Sequence, residues 1–267
     1  MNRAALSGLI QKKQSFLCVG LDSDLEKIPG HLPKNSEGIV AFNKAIIDAT
    51  LPYAVAFKLN IAFYEAMGAE GWNALEQTIK LIPKKEALII ADAKRGDIGN
   101  TANQYAKAFF EQLNCDAITV NPYMGVDSIS PFLLYKEKWT IVLGLTSNSG
   151  ANDVELLKLQ DGRHVFESTI ETMAKHGSDE NLMFVVGATK SEYFKKVRAV
   201  APRNFLLVPG VGAQGGSLAD LKELFTDDIG LLVNSSRKII YASSNQDFAQ
   251  AAAQQAKNLQ QSMREML

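Results

Sequence analysis

The chain is poor in the residues that usually build disulfides and transition-metal sites, with two cysteines and three histidines in 267 residues. Cys18 lies inside an apolar run and Cys115 just ahead of another, so both read as small buried side chains rather than a disulfide pair. His31, His164 and His176 have no ligand-like spacing, which argues against a zinc site, and no metal is expected. Neither sign of charge dominates. The formal net charge is −1 and the charged residues are interspersed, which excludes a basic stripe for nucleic acid or a polybasic patch for a membrane surface. The apolar stretches are only strand-sized, and Met1-Asn2-Arg3-Ala4-Ala5-Leu6 lacks the apolar run of a signal peptide, so a cytoplasmic protein is expected. No Pro-, Gly- or Ser-rich linker divides the chain. With 46% hydrophobic residues, positions 1–267 are expected to form one domain whose partner is a small molecule.

What is present is a regular alternation. Runs rich in Val, Ile, Leu and Phe occur near 16–21, 54–60, 87–92, 116–121, 139–145, 182–187, 204–209 and 229–234. Most are continuously apolar, as strands buried on both faces of a parallel sheet are. Between them stand helical stripes such as Ile39, Phe42, Ile46 and Ala49, or Ala102, Ala106, Phe109 and Leu113. Eight strands alternating with helices in this length predict a single (β/α)8 TIM barrel rather than a doubly wound open sheet. An extra N-terminal helix is predicted around Arg3–Lys12, and a last helix over Phe248–Met263.

In such barrels the chemistry sits at the carboxyl ends of the strands. Those ends carry Asp22, Lys58 and Asn60, Asp92 and Lys94, Asn121, Thr146 and Ser147, Pro209 and Gly210, then Asn234-Ser235-Ser236-Arg237. The densest is Ala91-Asp92-Ala93-Lys94-Arg95-Gly96-Asp97, where three charges follow an uncharged strand. Strand alternation puts Asp92 and Lys94 on one side, while Asp97 falls on the loop beyond. A salt-bridge cluster serving only stability would account for that segment alone. It does not account for nearly every polar strand residue falling at the same end.

Two loops suggest an anion. Pro209-Gly210-Val211-Gly212-Ala213-Gln214-Gly215-Gly216 follows the seventh strand and Ser235-Ser236-Arg237 the eighth. Bare backbone N–H groups and an arginine fork suit a phosphate there. Asp22 reads equally as a turn cap or as an acceptor for a ligand hydroxyl, and the long Thr146–Arg163 loop is expected to act as a lid.

Taken together, Asp92-x-Lys94-x-x-Asp97, Lys58 one strand earlier, the Pro-Gly-Val-Gly-Ala-Gln-Gly-Gly loop and the later Ser-Ser-Arg resemble the orotidine 5′-phosphate decarboxylase family. Asp-Ala-Lys-Arg-Gly-Asp-Ile-Gly-Asn-Thr and the length look like its longer bacterial branch, type 2. The resemblance implies decarboxylation of orotidine 5′-monophosphate to uridine 5′-monophosphate in de novo pyrimidine synthesis, without cofactor or metal. It also implies a homodimer in which Asp97, with Ile98 and Thr101 nearby, enters the neighbour's site. Lys94 is then expected as the acid, Asp92 beside the departing carboxylate, and Lys58 with Asp97 as the second pair. Asp22 would take a ribose hydroxyl and Thr146 or Ser147 would read the pyrimidine. Pro209, Gln214, Ser236 and Arg237 would serve the phosphate end.

A magnesium-dependent barrel acting on a sugar-acid phosphate shares the Asp-x-Lys-x-x-Asp segment but needs carboxylates for the ion, and no spare Glu stands at a neighbouring strand end. A barrel that only binds a phosphorylated nucleoside would gain little from burying four charges.

Overall fold

The computed structural model describes residues 1–211, 216 and 218–267. Eight parallel strands, β1 Leu17–Leu21, β2 Ala56–Asn60, β3 Leu88–Arg95, β4 Ala117–Val120, β5 Trp139–Leu145, β6 Leu182–Val186, β7 Leu206–Pro209 and β8 Leu231–Ser235, follow one another around a closed barrel. Helices fill the intervals: α1 Arg3–Lys13, α2 Ser36–Thr50, α3 Ile61–Glu65, α4 Gly68–Leu81, α5 Gly99–Lys107, α6 Ser130–Leu133, α7 Val165–Ala174, α8 Phe194–Val200, α9 Arg237–Ile240 and α10 Phe248–Arg264. This is the (β/α)8 architecture expected from the eight apolar runs. The N-terminal helix is present and one residue longer than predicted. β3 departs most, running to Arg95 instead of ending near residue 92, so Lys94 lies within the strand.

The chain groups into two compact units. The first comprises Met1, Gly8–Ala93 and Asn234–Leu267; the second comprises Asn2–Ser7 and Lys94–Val233. In the first, β1 pairs with β2 and β2 with β3, in a register that sets Gly20 beside Lys58 and Asn60 beside Asp92. The strands are apolar because both faces are covered: all of β1 and the first four residues of β2 and β3 are buried. On α2 the predicted stripe packs inward, with Ile39, Phe42 and Ile46 fully buried. Phe42 stacks on Phe248 of α10 with centroids 5.3 Å apart. Asn35 starts α2 by accepting a hydrogen bond from the Gly38 N–H, which satisfies one donor the helix cannot use internally.

In the second unit β4, β5, β6 and β7 pair in sequence. A register shift between Leu143 and Leu145 bulges β5 at Gly144, where a Cβ would stand 2.9 Å from Ile170. The helical stripe at 102–113 begins in α5 and continues as a wider π turn over Ala108–Gln112, still burying Ala102, Ala106 and Phe109.

Arg3, in the first turn of α1, ties the second unit together. Its guanidinium donates to both carboxylate oxygens of Asp228 at 2.8 Å, to the Asp179 carbonyl at 2.7 Å and to the Arg203 carbonyl at 2.8 Å. It also lies over the Phe205 ring, 5.0 Å from the centroid. Burial alone would raise the Asp228 carboxyl, but the hydrogen bonds from Arg3, Thr226 and Ser7 outweigh it and hold the group below the ordinary aspartate range.

Arg3→Ala strands these acceptors and is expected to destabilise the fold by about 2–4 kcal/mol, read as a lower urea midpoint. Because the Asp228 pKa is depressed in the folded state, its contribution is complete above the ordinary aspartate pKa and is lost as pH falls through the folded value. The gap between wild type and Arg3→Ala should therefore narrow on acidification. An equal gap at neutral and strongly acidic pH would detach the effect from this pair.

Candidate active site

The first unit gathers a charge cluster around Lys58. Its Nζ donates to Asp92 Oδ2 at 2.7 Å and lies 3.8 Å from Asp22 Oδ1, and only 5% of the residue is exposed. Burial works against the ammonium form, but the charges of Asp92 and Asp22 and the Asp92 hydrogen bond prevail, holding Lys58 above the usual lysine range. Below it, burial pushes the Cys18 thiol up to about 12 despite the nearby lysine, so Cys18 is an uncharged wall.

Asp22 follows the end of β1 and is held at two points. Ser236 Oγ lies 2.8 Å from Asp22 Oδ2 and 3.1 Å from the Gly20 carbonyl. The Tyr241 hydroxyl donates to the Asp22 carbonyl at 2.9 Å and accepts from the Asp24 N–H at 2.8 Å. Among the described residues, Asp22 Oδ1 is buried without a hydrogen-bond donor. It is an acceptor facing Lys58 with capacity left over. Beside it, the Asn234 amide oxygen is likewise buried and unbonded. Arg237 is the first residue of α9 and is exposed.

The second unit holds the rest of the predicted set. Lys94 is solvent-exposed in this chain and has a left-handed backbone, φ 48°. Its side chain therefore does not follow the alternation of a regular strand, which requires extended dihedrals on every residue. A left-handed lysine costs on the order of 1–3 kcal/mol and survives only where neighbours enforce it. Here the Lys94 N–H donates to Thr119 Oγ1 at 2.9 Å, the Arg95 carbonyl accepts from the Asn121 N–H at 2.7 Å, and the Arg95 guanidinium lies over Tyr105 and Phe109. Asp97 lies on the loop past β3, as expected, and its Oδ1 accepts from the Ile98 N–H at 2.8 Å. Ile98 is 51% exposed, an apolar side chain left in water beside Asp97. Thr101 is exposed in the first turn of α5.

The Thr146–Arg163 loop is tied down rather than loose. The Thr146 N–H and hydroxyl donate to the two carboxylate oxygens of Glu155 at 2.7 and 2.8 Å, the Glu155 carbonyl accepts from Phe166, and a 3-10 turn spans Ser149–Asp153. Thr146 is thus engaged by its own loop. Ser147 is set by a close approach to Gly187, where a Cβ would stand 2.7 Å from Ser147 Cα. Pro209 ends β7 and its carbonyl accepts from the Ala188 N–H at 2.9 Å. Gly210 beyond it has φ 96°, and Gly216 bridges back to Val211. Gln214 and the middle of the glycine-rich loop lie outside the described residues. Among the described residues, no group of three or more His, Cys, Asp or Glu side chains is arranged to hold a metal ion.

Sequence reasoning missed the supports. Tyr241, Glu155 and Thr119 carry no motif. Asn43 did leave a signal, being polar in the middle of the α2 stripe. Its amide accepts from Ser23, the neighbour of Asp22, and donates to Tyr64 and Thr78, each at 3.0 Å.

Gly20 has to be glycine for this arrangement. A Cβ there would lie 2.8 Å from Ser236 Cβ and 3.2 Å from Asn234 Oδ1. Gly20→Ala is expected to cost about 1–3 kcal/mol as an overpacking change, measured by thermal unfolding. Adding Ser236→Gly should restore part of that stability, and a double variant no more stable than Gly20→Ala would show that Ser236 is not what the glycine accommodates.

A family model described as "Orotidine 5'-phosphate decarboxylase / HUMPS family" matches residues 15–253. The chain is 52% identical to a Phocaeicola vulgatus protein named orotidine 5′-phosphate decarboxylase, over 100% of this chain and 99% of that one. It is 55% identical to a Christiangramia forsetii protein of the same name, over 98% and 97%. Among solved structures, a Leishmania donovani OMP decarboxylase superposes with a TM-score of 0.78 at 36% identity, covering 97% of this chain and 98% of that one. With its barrel, its buried Asp22–Lys58–Asp92 cluster and relatives over its full length, this chain belongs to the orotidine 5′-phosphate decarboxylase family.

Proposed function

We propose that the chain decarboxylates orotidine 5′-monophosphate to uridine 5′-monophosphate, the uridylate-forming step of pyrimidine synthesis, as a cytoplasmic homodimer working without metal or organic cofactor. The observation that carries the reading is the buried Lys58 held between Asp92 and Asp22, with Asp22 Oδ1 lacking a donor and Ser236 connecting that carboxylate to the Arg237 segment. A sugar hydroxyl is taken by the part of the Asp22 side chain that stays accessible. The phosphate of the same nucleotide then falls to Arg237, whose planar fork suits it.

The chemistry follows from the charges. Breaking the bond from C6 to the carboxylate releases carbon dioxide and leaves the electron pair on C6, where no adjacent carbonyl can take it up as an enolate. The site must stabilise that pair and then protonate it. Lys94 is the cation and the acid: its ammonium stabilises the developing carbanion, gives it a proton and is reprotonated from water. Asp92 lies beside the departing carboxylate, and some of its effect is repulsion relieved as carbon dioxide leaves. Its hydrogen bond to Lys58 keeps it from turning away. Lys58 and Asp97 form the second pair, with Thr101 nearby on the Asp97 side. Ser147 reads the pyrimidine edge in preference to Thr146, whose hydroxyl is already spent on Glu155. Pro209, Gln214 and Ser236 complete the phosphate end, the assignment of Gln214 resting on sequence alone.

The direct test is release of carbon dioxide from orotidine 5′-monophosphate by the purified chain before and after exhaustive chelation. Equal turnover is expected; loss on chelation that magnesium restores would point to the metal-dependent chemistry instead. Lys94→Ala should cut turnover by several powers of ten while a product analogue still binds, because the lysine acts mainly in the transition state. Near-normal turnover would remove Lys94 from the role of acid.

Asp97 serves the neighbouring subunit, a reading supported by its place on the loop past β3 beside the exposed Ile98. Mixing Lys94→Ala chains with Asp97→Ala chains should restore activity, since in each mixed dimer one site draws both intact residues. Recovery in about half of the mixed-dimer sites is expected for closed twofold symmetry. Exchange without recovery would mean that Asp97 acts within its own chain.

A further inference from the structure

We infer that Tyr241 is a positioning residue for sugar recognition: from the segment that carries Arg237 it fixes the backbone of Asp22, so that one carboxylate oxygen stays aimed at a ribose hydroxyl. The inference rests on the role proposed for Asp22 and extends it to a residue that meets no substrate.

Three observations converge. First, the contact is two-sided. The Tyr241 hydroxyl donates to the Asp22 carbonyl and accepts from the Asp24 N–H, clamping the loop on both sides of Ser23. Burial, ahead of the opposing Asp24 N–H bond and the nearby carboxylates, pushes the phenol up to about 12, so it remains a donor at neutral pH. Second, the ring is braced. Tyr241 stacks on Phe42 at 5.9 Å, and Phe42 stacks on Phe248 at 5.3 Å, so the hydroxyl belongs to a rigid aromatic column between α2 and α10. Third, the position in sequence is telling. Tyr241 caps α9, the four-residue helix begun by Arg237, and its N–H returns to the Arg237 carbonyl at 3.2 Å. The segment therefore reaches Asp22 from both of its ends, through Ser236 onto the carboxylate and through Tyr241 onto the main chain.

Those two bonds leave Asp22 Oδ1 as the one buried oxygen of that carboxylate with no donor. Oδ1 is enclosed on the Lys58 side, and a sugar hydroxyl meets the 19% of the Asp22 side chain that stays accessible; a sugar lacking that hydroxyl leaves the carboxylate one donor short. Discrimination between the two follows from the cost of an unpaired buried acceptor. It holds only while Asp22 cannot swing away, and Tyr241 supplies that restraint.

The test compares orotidine 5′-monophosphate with its 2′-deoxy and 3′-deoxy analogues in four proteins: wild type, Asp22→Ala, Tyr241→Phe and the double variant. Tyr241→Phe keeps the stack and removes only the hydroxyl. The ratio of kcat/KM between ribonucleotide and deoxy analogue that Asp22→Ala collapses should fall in Tyr241→Phe by about tenfold, the scale of one lost hydrogen bond. The ratio for the other analogue should hold. In the Asp22→Ala background Tyr241→Phe should change neither ratio, because its effect passes through Asp22. As a comparison, Arg237→Ala should weaken all three substrates alike. A purely structural tyrosine would lower the melting temperature and leave both ratios where they were, which would overturn the inference, as would an equal loss with Asp22 absent. Failure of the wild type to decarboxylate any of the three would instead overturn the proposed function.

Discussion

The site is organised by the burial of one ammonium group. Moving a lysine from water into a packed interior costs several kcal/mol, recovered only when opposite charges and hydrogen bonds meet it there. Lys58 has both, with Asp92 at 2.7 Å and Asp22 at 3.8 Å. Two carboxylates on one ammonium leave acceptor capacity over, and the geometry concentrates it on Asp22 Oδ1. Much of the surrounding structure keeps that balance. Cys18 stays neutral near the lysine, Gly20 leaves room for Ser236, and Ser236 and Tyr241 hold Asp22 by its carboxylate and by its main chain.

The architecture was legible in the sequence because its cause is local. Strands covered on both faces must be continuously apolar, and all eight apolar runs mark the strands to within a few residues. Candidate site residues were legible for a related reason: polar groups ending such runs all gather at the carboxyl ends of the strands, which singles out Lys58, Asp92 and Asp22 as a set although each alone admits a structural role. What could not be read is whatever depends on geometry rather than pattern. Strand alternation said nothing of the left-handed turn at Lys94, since Thr119 and Asn121, which restrain that stretch, come from a different strand and its loop. Nor could spacing show that Thr146 is bound by Glu155, nine residues on.

The strain at Lys94 bears on how its side chain is aimed. A regular strand would give the lysine the same pleat as its neighbours and no independent aim. Turning one residue into the left-handed region re-aims the side chain without moving the strand, at a local cost that the Thr119 hydrogen bond and the stacked Arg95 offset. The polar side chains of this short stretch have separate structural tasks. Asp92 serves Lys58, Arg95 anchors against Tyr105 and Phe109, and Asp97 shapes the turn into α5.

The contact that joins Ser236 to Asp22 spans 214 positions in the chain. No periodicity carries information over that distance; only barrel closure, which makes the last strand a neighbour of the first, brings these residues together. That explains why Asp22 alone was ambiguous in sequence. A carboxylate after a strand is as readily a turn cap as a ligand group, and the two are separated by what else satisfies its oxygens. Here Ser236 takes Oδ2, Tyr241 takes the carbonyl, and Oδ1 faces inward beside a buried lysine. A turn cap would have spent that oxygen on the N–H groups of its own loop. In this loop it is the Asp24 side chain that does so, accepting from the Glu26 N–H. With the capping task taken by Asp24, Asp22 is the carboxylate that the proposed function assigns to a ligand hydroxyl.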